Sequence, residues 1–364
     1  MKKRMLVNAY FAKNVGDDLF LKVLFDRYPH VKWDLLTANR NYRDLFKEYA
    51  NVNIIYSYRD VAIGKKNVNL YFVMNKLFNR FRKYDAFIMI GGSIFMQSPA
   101  WKMKLAERDY LVNQFKKMNK KAFILGANFG PFTDKEFTRQ YRDLFMKYDD
   151  VCFRDTYSYE LFKDMDNVRV APDVVFNLED QKSKQTEKTI GFSTIDVASR
   201  ESLRDYTAAY HDKIVQLAEG YIEAGYHIKL FSFCENEGDL KGIRQIKDQV
   251  KPTYRSHITI SNYHDDLPSF LDEFKRCETI IGTRFHAIIL AMLYQQSFYP
   301  LIYSGKVSNL LQDVNMSSEG CLIQEIEKLD VKHVIATAKY NKLVDEQLFA
   351  DAAIQFEKLD QFIG

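Results

Sequence analysis

An arginine and a histidine two positions apart, where a strand hands over to a helix, are the residues of this chain best suited to chemistry. Residues 278–293 read E-T-I-I-G-T-R-F-H-A-I-I-L-A-M-L. Thr279, Ile280 and Ile281 favour a buried strand ending at Gly282, and Ala287 to Leu293 is an apolar run of good helix formers. Arg284, Phe285 and His286 are therefore expected at the carboxyl end of a strand, the edge of an α/β sheet where ligands bind. Arg284 is a permanently charged bidentate donor, and His286 can exchange a proton near neutral pH. The pair suits an anion that must also be protonated. A surface arginine beside a core-capping histidine is the plainer reading.

Ser304-Gly305-Lys306 is expected at the matching position one β–α unit later, ahead of a helix near 307–314. A glycine there lets backbone N–H groups approach a phosphate, and Lys306 adds a point charge. A plain turn with a solvated lysine is the alternative. Asn14-Val-Gly16-Asp17-Asp18 follows the first strand with one glycine where a dinucleotide loop needs three. Its two carboxylates would repel phosphate, so Asp17 suits binding or deprotonating a sugar hydroxyl; capping a helix is its structural role. Gly91-Gly92-Ser93 and the loop from Gly126 to Pro131, with Asn128, end two more strands, where glycine can simply close a turn. Arg154, with Asp155 and Ser158, follows another strand and reads either as a second anion contact or as a capped helix with a local ion pair. Asp164 and Asp166 form a D-x-D pattern in a charged helix end and read as surface, so no metal is expected.

The elements that must place these residues alternate in type. Strands are expected at 4–8, 32–37, 52–55, 84–90, 122–125 and 150–153, and helices at 17–28, 68–82, 101–118, 134–148 and 156–163. The polar stretch 179–189 reads as a linker. Strands at 190–194, 226–233, 257–260, 278–281 and 297–303 then alternate with helices near 203–224, 239–249 and 267–276, and the tail 331–362 reads as two helices. Apolar strands separated by helices imply parallel, doubly wound sheets. The expected fold is α/β: two Rossmann-like doubly wound domains facing each other, residues 1–180 and 188–330, with C-terminal helices in 331–364 of which one crosses back to the first domain.

A chain of 364 residues suits two domains, and 47% hydrophobic with 27% charged residues is ordinary for a soluble protein. With 52 basic against 48 acidic residues, the net charge of +4 argues against a nucleic-acid footprint. Cys152, Cys234, Cys277 and Cys321 form no close pair, which fits a reduced, cytoplasmic protein. The longest apolar stretch, about ten residues around Ala287 to Tyr294, falls short of the ~20 that a membrane span needs. Lys76, Arg80, Arg82 and Lys83 flank the apolar stripe of the expected helix 68–82, which either packs on the sheet or offers a basic, aromatic rim to a membrane surface. The 28 Phe and 23 Tyr suit packing and sugar stacking.

Taken in order, N-V-G-D-D, G-G-S, G-A-N-F-G-P, F-R-D-T-Y-S, A-P-D, G-T-R-F-H-A and Y-S-G-K-V-S-N-L-L resemble the polysaccharide pyruvyl transferase family, from about residue 8 to 315. The resemblance implies a fold similar to GT-B glycosyltransferases. It also implies transfer from phosphoenolpyruvate to two hydroxyls of a sugar, giving a cyclic pyruvate ketal in bacterial exopolysaccharide or capsule synthesis. On that basis Arg284, Lys306 and Arg154 would surround the donor anion, with Phe285, Ser304 and Gly305 beside it. His286 would be the acid, and Asp17 would orient or deprotonate the acceptor hydroxyl near Asn14, Gly16, Gly91, Gly92, Ser93 and Asn128. No cofactor is implied, since phosphoenolpyruvate is a substrate. The implied acceptor is a lipid-linked or nucleotide-linked saccharide, with peripheral contact at the inner membrane face. Two other functions fit the same residues: a GT-B-type nucleotide-sugar glycosyltransferase, and a non-catalytic saccharide-binding partner.

Overall fold

The computed structural model describes residues 2–39, 42–57, 60–63, 66–69, 80–180, 186–264 and 266–364. The chain divides into two compact units. Met1–Phe11, Asp17–Leu178 and Ala350–Gly364 form the first; Ala12–Gly16 and Glu179–Phe349 form the second.

In the first unit, β1 (Arg4–Ala9), β2 (Lys32–Thr37) and β3 (Val52–Tyr56) are followed by a short hairpin, β4 (Asp60–Ile63) and β5 (Lys66–Asn69). Then come β6 (Ala86–Ile90), β7 (Lys121–Ala127), β8 (Asp150–Phe153) and β9 (Val168–Val170). Apart from the hairpin these strands make one parallel sheet in the order β3-β2-β1-β6-β7-β8-β9. The second unit holds β10 (Glu187–Ser193), β11 (His227–Ser232), β12 (Ile258–Asn262), β13 (Cys277–Gly282), β14 (Ser297–Ile302) and β15 (Cys321–Leu322). They form a parallel sheet in the order β12-β11-β10-β13-β14-β15. In each sheet the strand order reverses beside the first strand, which opens a crevice at the carboxyl ends of β1 and β6, and of β10 and β13.

The strands are apolar because helices cover both faces: all five residues of β6 are buried. Helix Lys135–Phe145 buries Phe137, Tyr141, Leu144 and Phe145 at helical spacing, and Asp134 caps it by accepting the Glu136 N–H. The aromatic excess goes into packing here. Phe132, Phe137, Tyr141, Phe145 and Phe162 ring Phe129 with centroids 4.9–6.0 Å away.

Several expected boundaries shift. β10 starts at Glu187, inside the stretch read as a linker, whose residues 181–185 lie outside the described residues. The helix expected at 68–82 starts in β5 and ends in the 3-10 turn Arg80–Lys83, while residues 70–79, Lys76 included, lie outside the described residues. The tail holds three short α-helices, Val331–Thr337, Glu346–Ala352 and Glu357–Ile363, and only residues from Ala350 onward belong to the first unit. Gln355 fixes them there. Its amide donates to the carbonyls of Phe153, Ala171 and Pro172 at 3.2, 2.8 and 3.0 Å and accepts the Gly126 N–H at 3.0 Å.

Asp34, buried in β2, is the charged hub of the first sheet. It accepts from Tyr84 at 2.7 Å and Arg4 at 2.7 Å and pairs with Lys83 at 3.1 Å. Burial alone would raise its carboxyl; Tyr84, Arg4 and Lys83 outweigh that and hold it below its ordinary value. A carboxylate lowered on folding adds stability above its unfolded pKa of about 4, and that stability is lost as pH falls through the folded value. Asp34→Asn is expected to cost ~1–3 kcal/mol at neutral pH. Urea midpoints followed below about pH 4 should fall less steeply in the variant than in the wild type; equal slopes would show that Asp34 does not carry this acid sensitivity.

Candidate functional site

The second unit builds its site where β13 meets the helix Phe285–Leu293. Ser193, the last residue of β10, ties this corner across the crevice. Its carbonyl accepts the Thr283 N–H at 2.9 Å, and its hydroxyl accepts the N–H groups of Thr283 and Arg284 at 3.1 Å each. The Thr283 hydroxyl pairs with the buried Tyr210 hydroxyl at 2.8 Å. Arg284 thus precedes the helix in an extended conformation, held by a buried frame.

The guanidinium of Arg284 is already engaged. Its Nε donates to Asp239 Oδ2 at 2.9 Å, one Nη donates to Asp239 Oδ1, and the other donates to Glu237 Oε2 at 2.5 Å. Asp239 is fully buried at the start of helix Asp239–Gln249 and also accepts the amides of Phe233 and Cys234 at 3.1 and 3.0 Å. Burial opposes the arginine charge, but Asp239 and Glu237 outweigh it and raise Arg284 well above its ordinary value. The fork expected to clasp an anion therefore holds two carboxylates, and Arg284 acts as a buried strut.

His286 stands one residue into the helix, its ring edge-on to Phe285 at 5.1 Å and 87°. A Cβ at position 16 would lie 1.7 Å from His286 Nδ1, so only glycine admits the imidazole there. Ala12–Gly16, expected on the first domain, belongs to the second unit. The Val15 N–H donates to the Phe233 carbonyl at 3.1 Å, Asn236 donates to the Ala12 carbonyl at 2.8 Å, and Asn14 Oδ1 accepts the Gly16 N–H at 3.1 Å. Gly16→Ala must turn the imidazole aside. With an activity assay in hand, kcat is expected to fall about a hundredfold, since a displacement of ~1 Å costs that much; an unchanged kcat would show that His286 orientation does not matter.

Beside it, helix Gly305–Asp313 starts two residues earlier than expected, which puts Gly305 and Lys306 in its first turn. Ser304 precedes it without capping it, and its buried Oγ has no hydrogen-bond partner among the described residues. A Cβ at Gly305 would meet nothing within 4 Å. Lys306 Nζ lies 5.5 Å from the Phe285 ring centroid and 5.3 Å from that of Tyr303. Two helix N-termini thus follow neighbouring parallel strands, a setting that favours an anion.

The first unit gathers the other expected residues. Arg154, buried, donates to Asp173 Oδ2 at 2.9 Å and to Asn128 Oδ1 at 2.7 Å, and Ser93 donates to the same Asn128 oxygen at 3.0 Å. A Cβ on Gly92 would lie 2.4 Å from the Arg154 guanidinium. Arg154 therefore sits in a buried network of the first unit, while His286, Arg284 and Lys306 belong to the second. Asp155 caps helix Thr156–Glu160 by accepting the Ser158 N–H at 2.7 Å, and Arg154 forms an ion pair with Asp173 at 2.9 Å. Helix Val15–Arg27 begins early enough that Asp17 and Asp18 fall in its first turn, where they complement its dipole. Gly91 has φ +142°, and its hypothetical Cβ lies 3.9 Å from Asp17 Oδ1. Asp164 is ion-paired with Arg142 on the surface. Among the described residues, no group of three or more His, Cys, Asp and Glu could hold a metal, and no helix is long and apolar enough to cross a membrane.

The family model for polysaccharide pyruvyl transferase matches residues 14–305. The chain belongs to the polysaccharide pyruvyl transferase family. Solved structures share its fold at low identity. UDP-GlcNAc 2-epimerase from Neisseria meningitidis bound to UDP-GlcNAc has a TM-score of 0.58 at 10% identity, covering 99% of both chains. Anabaena HepE in complex with UDP gives 0.57 at 12%, over 100% of this chain and 98% of that one. A glycosyltransferase from Rickettsia africae gives 0.55 at 11%, again over 100% and 98%. These likenesses support two Rossmann-like α/β domains of the GT-B type.

In this member of the family, sequence reading missed Glu237, Asp239, Arg200 and Tyr303. Glu235, Glu237 and Asp239 follow directly on β11 of the same sheet, and that acidic run at a strand end was the available signal. Nothing local marked Arg200, which lies between the 3-10 turns Val197–Ser199 and Glu201–Tyr206.

Proposed function

We propose that this protein transfers the three-carbon unit of phosphoenolpyruvate to two hydroxyls of a saccharide, forming a cyclic pyruvate ketal and inorganic phosphate. The observation that carries the reading is the juxtaposition, in a member of this family, of His286 with the two helix N-termini and Lys306. His286 in its protonated form gives a proton to the methylene carbon of the donor, leaving an oxocarbenium-like centre at the carbon that bears phosphate. One sugar hydroxyl adds there and loses its proton; Asp17 is the proposed acceptor of that proton. Phosphate then leaves with the C–O bond electrons, and the second hydroxyl closes the ring, its proton passing to the imidazole that gave one up. The sum is donor plus diol to ketal plus phosphate, with no redox step and no cofactor.

Lys306 and Ser304 are the proposed phosphate contacts, aided by the dipole of helix Gly305–Asp313. Ser93, Asn128 and the loop at Gly91 and Gly92 are proposed to bind the saccharide, which is carried on a lipid or a nucleotide. The proposed setting is the bacterial cytoplasm, with peripheral contact at the inner membrane face, in exopolysaccharide or capsule synthesis. Burial pushes the Cys152, Cys234 and Cys277 thiols up to about 12, which suits structural rather than reactive cysteines.

A separate structure of Anabaena HepE is in complex with UDP-glucose, so a nucleotide-sugar glycosyltransferase is the competing reading. Thermal-shift measurements separate the two. Stabilisation by phosphoenolpyruvate is expected; stabilisation by UDP- or GDP-sugars with no response to phosphoenolpyruvate would favour the competitor.

A further inference from the structure

With Arg284 matched by Asp239 and Glu237, the charge for a donor anion has to come from elsewhere. Two other cations meet on a single phenol. The Arg200 guanidinium lies 4.8 Å from the centroid of the Tyr303 ring, and the Lys306 ammonium lies 5.3 Å from it. Tyr303 directly follows β14 and Lys306 lies in the helix after it, while Arg200 follows the 3-10 turn Val197–Ser199 after β10. β10 and β14 are the two neighbours of β13, the strand that leads to His286. Arg200 and Lys306 therefore come from the strands on either side of the one that presents the proton donor.

Arg200 is not used up by its surroundings. Its Nη is 3.7 Å from Glu237 Oε2, a charge contact beyond good hydrogen-bond length, and that oxygen already takes Arg284 at 2.5 Å. Its Nε is buried and donates to no acceptor among the described residues. The field of these cations shows at Tyr303. Burial would raise its phenol, yet Lys306, Arg284 and Arg200 together hold it below its ordinary value.

We infer that Arg200 is a donor-binding residue that grips the phosphate of phosphoenolpyruvate opposite Lys306, with Tyr303 as the ring that positions both cations. This rests on the donor proposed above. The phosphate takes the Arg200 Nε–H, the Lys306 ammonium and the Ser304 hydroxyl, groups suited to a dianion in fork and point-charge geometry. Tyr303 acts through its ring face, by cation–π attraction, and through its phenol oxygen, toward which Lys306 donates.

Isothermal titration calorimetry with phosphoenolpyruvate, inorganic phosphate and pyruvate as separate probes tests it. Arg200→Ala is expected to weaken phosphoenolpyruvate and phosphate about ten- to a hundredfold and to leave pyruvate within about twofold. Tyr303→Phe keeps the ring but loses the phenol contact with Lys306 and should weaken binding less than Tyr303→Leu, which should lose as much as Arg200→Ala. Far-UV circular dichroism and thermal midpoints check that each variant is folded; Arg200 lies on a partly exposed turn and should tolerate replacement. Wild type that binds phosphoenolpyruvate no better than Arg200→Ala overturns the role of Arg200 alone. Wild type that binds no phosphoenolpyruvate at all overturns the donor reading and this inference with it. A loss confined to pyruvate, or Tyr303→Leu binding like wild type, also counts against the arrangement.

Discussion

Replacing His286 with alanine is expected to abolish turnover, a loss of about 10²–10⁴-fold or more, while phosphoenolpyruvate still binds. The imidazole is the proposed proton donor, whereas the proposed anion contacts are Lys306, Ser304 and Arg200. Removing it should leave Kd for the donor within about threefold, because no full charge-assisted contact is lost. Single-turnover phosphate release and calorimetry on the same preparation check both halves. If the variant released phosphate at the wild-type rate, His286 would not be the acid.

Asp239→Ala should produce the largest loss of stability, about 3–5 kcal/mol, because it leaves Arg284 buried and unpaired. Asp239 is fully buried and supplies both oxygens to that guanidinium, as well as accepting two backbone amides. The thermal midpoint should drop by about 10 °C, by the usual scaling for a domain of this size. Glu237→Gln should cost far less, since Glu237 is partly exposed and keeps one oxygen for Arg284. Equal, small losses in the two variants would show that Arg284 is not locked by Asp239. The double replacement of Arg284 and Asp239 by apolar residues should recover part of the stability, as removing both charges removes the unpaired one.

The local handover at Gly282 was legible because a short β-branched run, a glycine and an apolar helical run are written consecutively. The parallel sheets followed from the same alternation, since strands covered on both faces are apolar throughout. Partners distant in sequence left no local mark. Arg284 looked available because Asp239 lies 45 positions away, and no periodicity reports that pairing. Gly16 was expected beside the acceptor, yet its missing Cβ makes room for His286. Strands of two or three residues, such as β15 and β9, are too short to show alternation. The hairpin of β4 and β5 was missed because its strands are only four residues each and the helical spacing read from Leu70 to Phe81 was extended back over β5.

The decisive measurement is incubation of the purified protein with phosphoenolpyruvate and a panel of lipid-linked and nucleotide-linked saccharides, reading phosphate release and acceptor mass together. Pyruvyl transfer predicts one phosphate released per acceptor modified, and a mass gain equal to pyruvic acid less one water. Phosphate release with no change in any acceptor, or a gain of a whole sugar from a nucleotide-sugar donor, would contradict it.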